Sequence, residues 1–187
     1  MPKPRPPQPS TVLAERLHYR GQKFDFLAQT LQFPNGVTGD REYVIHPGGV
    51  VVVPVTADGK FICIWQYRFA IGRYIYEFPA GTVEPDELPA QTARRELAEE
   101  TGYSAHQWND LGQFFLAPGY SDEIMYVFLA RDLEKLDRPP AGDEDEDIQV
   151  LSKSEAELAD EILLAPDADA KTIACFLRAR HQLHATR

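Results

Sequence analysis

An α/β fold is the class this sequence predicts, and three observations carry it. "GVVVVPV", residues 49–55, is continuously apolar and β-branched, as a buried strand is. "FICIWQYR", residues 61–68, alternates as a half-buried strand does. "PAQTARRELAEETG", residues 89–102, opens on a proline suited to a first helical turn and closes on a glycine suited to a C-terminal cap. A helix is therefore expected over Pro89–Thr101.

The remaining elements follow in chain order. Residues 1–10, "MPKPRPPQPS", are half proline and read as an unstructured or polyproline-like tail. Residues 11–40 form a separate β-subdomain in this reading: the aromatic alternation of "LHYRGQKFDFLAQTLQF" predicts a two-stranded hairpin, and Asn35-Gly36 a turn. The main domain, 41–187, opens with three strand-like runs in "EYVIHPGGVVVVPVTADGKFICIWQYRFA", the last two expected to pair as a hairpin across "ADGK". "RYIYEFPAG" is a short strand expected to stop at its Pro-Ala-Gly turn. After the helix, "WNDLGQFFLAPGYSDEIMYVFLARDL" reads as two strands around a turn, "DRPPAGDEDED" as an acidic loop, "IQVLS" as a strand and "SEAELADEILL" as a short helix. A last helix is expected over Ala170–His184. Ile173, Phe176, Leu177 and Leu183 form its core face, and Lys171, Arg178, Arg180 and His181 a basic one.

Composition limits the function. The 187 residues carry a formal net charge of -10, so extended nucleic-acid binding is disfavoured. No stretch reaches the roughly 18 to 20 apolar residues of a membrane span, and the N-terminus lacks an apolar signal segment. Cys63 and Cys175 stand far apart and read as two buried thiols in a reducing cytoplasm.

The helix at 89–101 poses the chemical question. Glu96, Glu99 and Glu100 fall within about one third of its circumference, beside a packing stripe of Ala90, Ala93 and Leu97. Like charges so placed repel by a few tenths of a kcal/mol per pair, roughly. A solvated acidic face is one reading of "RELAEE". The other is a cation site, because Mg²⁺ takes one or two carboxylates together with substrate phosphates. Such an ion lets a protein of net charge -10 hold a polyanion.

The full spacing separates the two readings. Gly81, five residues, Glu87, seven residues, Arg95-Glu96-Leu97, one residue, Glu99-Glu100, one residue and Gly102-Tyr103 resembles the Nudix box, with an aromatic at the last, usually aliphatic position. The resemblance implies an α/β/α sandwich with a mixed sheet, and hydrolysis of a nucleoside diphosphate linked to another group. It makes Glu96 and Glu100 metal ligands that serve catalysis and Glu99 an auxiliary ligand. The carbonyl of Ala80 is a further ligand, and the ion is Mg²⁺ or Mn²⁺. Arg95 pairs with Glu87 or a neighbouring carboxylate, while Gly81 and Gly102 permit tight backbone paths.

The flanks "QYRFA…YEFPAG" and "APGYSDE" are similar to those of the ADP-ribose pyrophosphatase subfamily, with Pro118 fifteen residues beyond Tyr103. That similarity implies ADP-ribose as substrate, cleaved to AMP and ribose 5-phosphate, and a cytoplasmic homodimer that exchanges its N-terminal β-subdomain. It places Arg68 on the diphosphate, Arg41 and Glu42 at the adenine or ribose, Pro118 and Gly119 beside the substrate, and Glu123 of a partner subunit at the terminal ribose. In the acidic loop "GDEDEDIQV" it implies Glu144 as general base and Glu146 as a further ligand. Another nucleotide sugar, ADP-glucose or GDP-mannose, is the alternative substrate. A non-catalytic ADP-ribose sensor is the alternative of a different class.

Overall fold

The computed structural model describes residues 9–142 and 147–185. Chain contacts divide it into two compact units, one taking the chain up to Pro47 together with Phe115–Ile124, the other taking Gly48–Phe114 and the chain from Met125 onward.

The first unit is built on a meander. β1 (Thr11–Arg20), β2 (Asp25–Gln32) and β3 (Thr38–Ile45) pair antiparallel in that order. The expected hairpin is present, and β3 extends it. Because β3 pairs with β2 along its whole length, this unit runs past the expected 40/41 boundary to Pro47.

The second unit holds two sheets. β4 (Gly49–Pro54) lies between β7 (Ala80–Thr82) and β9 (Ile124–Lys135), antiparallel to the first and parallel to the second, with β8 (Tyr103–Phe115) beyond β9. β5 (Phe61–Arg68) lies between β6 (Arg73–Glu77) and β10 (Ile148–Lys153), antiparallel to both. The expected hairpin across "ADGK" is therefore not formed. The turn exists, with Gly59 at φ +83° and Thr56 and Lys60 bonded across it, but only Val55 bridges to Phe61 before the strands part. The reason is edge occupancy: β4 already has a neighbour on each side, so β5 finds its partners elsewhere. The Pro-Ala-Gly sequence likewise does more than end β6, since β7 starts at Ala80 and adds to the β4 edge.

Every residue of β4 is buried. Val50 and Val52 pack with Ala93 and Leu97 of helix α1 (Pro89–Thr101) and with Ala105 and Ala130. By strand alternation Val51 and Val53 face the other side, and helix α3 (Ala170–Ala185) also meets β4. The short helix α2 (Glu155–Leu163) starts from a capping box between Ser154 and Glu157 and packs on α3 and β10. Strands covered by helices make this the mixed α/β arrangement expected.

Two helix faces differ from expectation. Ala90 is exposed, leaving Ala93 and Leu97 as the packing side of α1. In α3 the buried stripe is Thr172, Cys175, Phe176 and Ala179 rather than one that includes Leu177, which is exposed. The basic face is dispersed: Lys171 is buried among carboxylates, Arg180 and His184 meet Glu155, and Arg178 donates to the carbonyls of Leu111 and Gln113. Lys171, Arg178 and Arg180 thus each have partners within the fold. Cys63 and Cys175 are free thiols, each pushed up to about 12 by burial. Among the described residues no helix is long and apolar enough to cross a membrane.

Candidate active site

α1 is held at both ends by the devices its sequence provides. At its start Pro89 needs no hydrogen-bond acceptor, and the Gln91 side chain accepts from the Leu88 N–H at 2.8 Å. At its end Gly102 adopts φ 67°, and Lys135 Nζ donates to the Thr101 carbonyl at 3.0 Å. The same ammonium stands 4.3 Å from the centroid of Tyr103, which gives the aromatic ring at the end of the box a cation–π partner.

Between these ends the acidic face is not a solvated one. Glu96 and Glu100 are only 9% and 7% exposed, close to the fully buried Ala93 and Leu97 beside them. Glu100 Oε2 accepts from the Ala80 N–H at 2.8 Å, tying α1 to the first residue of β7. The Glu96 carboxylate lies over Gly81 so closely that a Cβ there would overlap it. An alanine at 81 would have to push that carboxylate out of its place.

Arg95 organises the rest. Its Nη1 donates to Glu96 Oε1 at 2.7 Å and Glu99 Oε2 at 3.1 Å, and its Nε and Nη2 bond Glu87 at 3.1 and 3.0 Å. Thr92, fully buried, adds a 2.8 Å hydroxyl bond to Glu87. The bond from Arg95 holds Glu87 below the usual carboxylate range, against a smaller opposing effect of burial. Bonding to Glu87 likewise raises Arg95, so its charge is permanent. The resemblance paired Arg95 with Glu87 or a neighbouring carboxylate and left Thr92 unremarked. A threonine one turn before Arg95 on a polar stripe was the signal available.

The carboxylates fit a divalent cation in kind: oxygen donors, two of them buried, one seated in a cradle that a side chain would fill. Among the described residues they do not draw together as a cage of three or more. Arg95 takes an oxygen of Glu96 and of Glu99, while Glu100 turns to Ala80. Glu144 and Glu146 lie outside the described residues. The chain on either side of them belongs to this unit, with Gly142 beside the Glu99 carbonyl and the Asp147 carbonyl accepting from Tyr67 N–H.

Arg68 stands at the end of β5, and both its Nε and Nη2 donate to Glu77, at 2.6 and 2.7 Å. Glu77 was not singled out by sequence, where it is one letter of "YEFPAG". An acid closing a short strand just before "FPAG" was the only clue. In the first unit Arg41 and Glu42 are exposed on β3, Arg41 lying 4.8 Å from the Phe33 ring centroid and Glu42 3.7 Å from His18. Pro118 and Gly119 are exposed in the turn that Ala117 closes with Tyr120 and Ser121, and Glu123 is half-buried, 3.7 Å from His46 Nδ1.

A buried acidic helix face braced by an arginine against a glycine loop defines a class, and comparison with known proteins identifies it. Residues 45–174 match the NUDIX domain, so the chain belongs to the Nudix family. It is 41% identical over 165 residues to an ADP-ribose pyrophosphatase of Bacillus subtilis (strain 168), covering 87% of each. It is 36% identical to a methanol dehydrogenase activator of Bacillus methanolicus, covering 87% of this chain and 88% of that one. A crystal structure of an ADP compounds hydrolase superposes with a TM-score of 0.86 at 28% identity, covering 98% of each chain.

Two outcomes are expected. Gly81→Ala displaces the Glu96 carboxylate and lowers kcat/KM at least about a hundredfold while circular dichroism stays native; normal turnover would show that Glu96 needs no such seat. Glu87 has its pKa lowered by folding, so its stabilisation is complete above the unfolded value and fades as pH falls through the folded one. Urea midpoints of Glu87→Gln should therefore lie below wild type at pH 7 and converge with it once the pH falls below the folded value. A gap unchanged by acid would remove the ion pair as its cause.

Proposed function

We propose that this protein hydrolyses the diphosphate of ADP-ribose, adding water to release AMP and ribose 5-phosphate. The observation that carries the reading is the pair of buried carboxylates, Glu96 and Glu100, set on one face of α1 against Ala80 and Gly81. Buried acids without a cation are costly, and the Arg95 that donates to Glu96 is shared with Glu87 and Glu99. A divalent ion with a diphosphate supplies the charge such a face suits. The ADP-ribose assignment rests on the names of the relatives and on the flanking sequences.

Glu96 and Glu100, helped by Glu99 and the Ala80 carbonyl, would hold the ion, Mg²⁺ or Mn²⁺. A bound ion of that kind withdraws charge from the phosphorus and offsets the charge that develops as the bond breaks. Arg68 binds the diphosphate through its exposed side and orients it. Glu144 takes the proton from the attacking water, and Glu146 assists at the ion. Arg41, Glu42, Pro118 and Gly119 bind the nucleoside and sugar, and Glu123 of a second copy closes on the terminal ribose. Gly81, Glu87, Arg95 and Gly102 keep the box in shape.

A homodimer belongs to the same proposal. β1 is exposed throughout and carries Val12, Leu13, Leu17 and Tyr19 at 50, 54, 43 and 64% exposure. An apolar edge strand of that kind favours a partner. Exchange of the N-terminal strands between two copies would cover it.

The first test offers ADP-ribose, ADP-glucose, GDP-mannose and a nucleoside triphosphate with Mg²⁺ and separates the products. AMP and ribose 5-phosphate should form fastest from ADP-ribose, and Glu100→Gln should lose turnover by about a thousandfold or more with the fold intact. Full activity in that variant would sink the assignment, and binding without cleavage by the unaltered chain would make it a sensor. Sedimentation should give twice the chain mass, reduced to one mass by Leu13→Glu with Leu17→Glu; a wild-type monomer rejects the dimer.

A further inference from the structure

Behind Arg68 lies a charged cluster that the proposed chemistry leaves unused. Glu77 is 1% exposed and accepts both Nε and Nη2 of Arg68. On its far side the ammonium of Lys171 donates to Glu77 Oε2 and stands 3.0 Å from Asp169 Oδ2. Asp169 in turn caps α3, accepting from the Thr172 N–H at 2.9 Å, the Thr172 hydroxyl at 2.6 Å and the Lys171 N–H at 3.3 Å. Burial disfavours the charge on Lys171, but the two carboxylates outweigh it and raise its pKa. Burial likewise opposes ionisation of Glu77, and the bonds from Arg68 and the charge of Lys171 overcome that opposition. Two cations and two anions therefore stand together, and the set is neutral.

Stability alone explains such a cluster poorly. Well-packed apolar side chains of the same volume do as well or better, because each buried charge must first be stripped of water. What the cluster accomplishes is orientation. An arginine on a free stem loses side-chain entropy whenever it is fixed on a ligand. A carboxylate gripping both Nε and Nη2 fixes the plane of the guanidinium in advance. Glu77 can do so only if its own carboxylate is pinned, and Lys171 pins it. Of the four side chains only Arg68, at 38% exposure, reaches well into solvent.

We propose that Lys171 and Asp169, acting through Glu77, are positioning residues that preset Arg68 for the substrate diphosphate, so that the start of α3 sets substrate affinity. The inference rests on the reading of Arg68 as a diphosphate ligand. Its consequence is specific. Loosening the cluster raises the cost of binding diphosphate and leaves the reacting groups on α1 as they were.

The test is Lys171→Met combined with Asp169→Asn. The pair removes one charge of each sign, so no lone buried charge is left, and asparagine still caps α3. The Kd of the non-hydrolysable α,β-methylene analogue of ADP-ribose, titrated calorimetrically with Mg²⁺, should rise about tenfold, and KM with it, while kcat changes by less than about twofold. Lys171→Arg, which keeps the charge, should recover most of the affinity. Unchanged Kd and KM in the folded double variant overturn the proposal, as does a fall in kcat at constant KM. If the double variant does not fold, Asp169→Asn alone serves: Kd should rise about threefold, and no rise overturns the proposal. Arg68→Met, measured alongside, separates the two failures. If it leaves Kd untouched, the diphosphate role of Arg68 is wrong; if it weakens binding and the Lys171 and Asp169 variants do not, only the positioning is wrong.

Discussion

The second unit depends on one constraint: acids must be kept at a working surface that is also half buried. Glu96 and Glu100 sit beside Ala93 and Leu97 on a helix pressed against β4, so they are removed from bulk water by the same packing that holds α1 in place. Their charge must be met, and Arg95 meets much of it. One guanidinium reaches Glu87, Glu96 and Glu99 together, at distances between 2.7 and 3.1 Å. Its planar fork suits that role, since five donors on one rigid group can serve three carboxylates where an ammonium serves fewer with less direction.

From that constraint the surrounding backbone follows. A side chain at Gly81 would enter the space the Glu96 carboxylate occupies. β7 is short because it has only to carry Ala80 and Gly81 along the edge of β4 and present the Ala80 N–H to Glu100. Gly102 turns the chain out of α1 into β8, and Lys135 closes the helix end. The same logic recurs at the other end of the unit. There Glu77 and Asp169 hold Arg68 and Lys171, and in that set the charges are balanced in number and joined by short bonds.

Much of the site was legible because the box is local. Its spacing lies on a single helix and the loop before it, where 3.6-residue periodicity converts sequence distance directly into direction. Pro89 and Gly102 mark the helix ends by their own backbone preferences, and both ends lie where those preferences put them. Pairings between distant segments were less legible. "ADGK" has good turn chemistry and still joins two different sheets, because pairing is decided by which strand edges are vacant. Lys171 reads as one of several surface bases, and only the arrival of Glu77, 94 residues earlier, makes it a buried one.

The sequence alone determined the helix of the box, its ends, the cluster of acids on one face and the family they define. Each of these depends on neighbours within a few residues, which the chain order states outright. Tertiary structure alone decided that Glu96 and Glu100 are buried, that β4 and β5 part company, and that the Glu77 holding Arg68 is itself bonded by Lys171 of α3. These depend on what distant segments bring to the same place. Burial and charge pairing are properties of that meeting, and no single stretch of residues contains them.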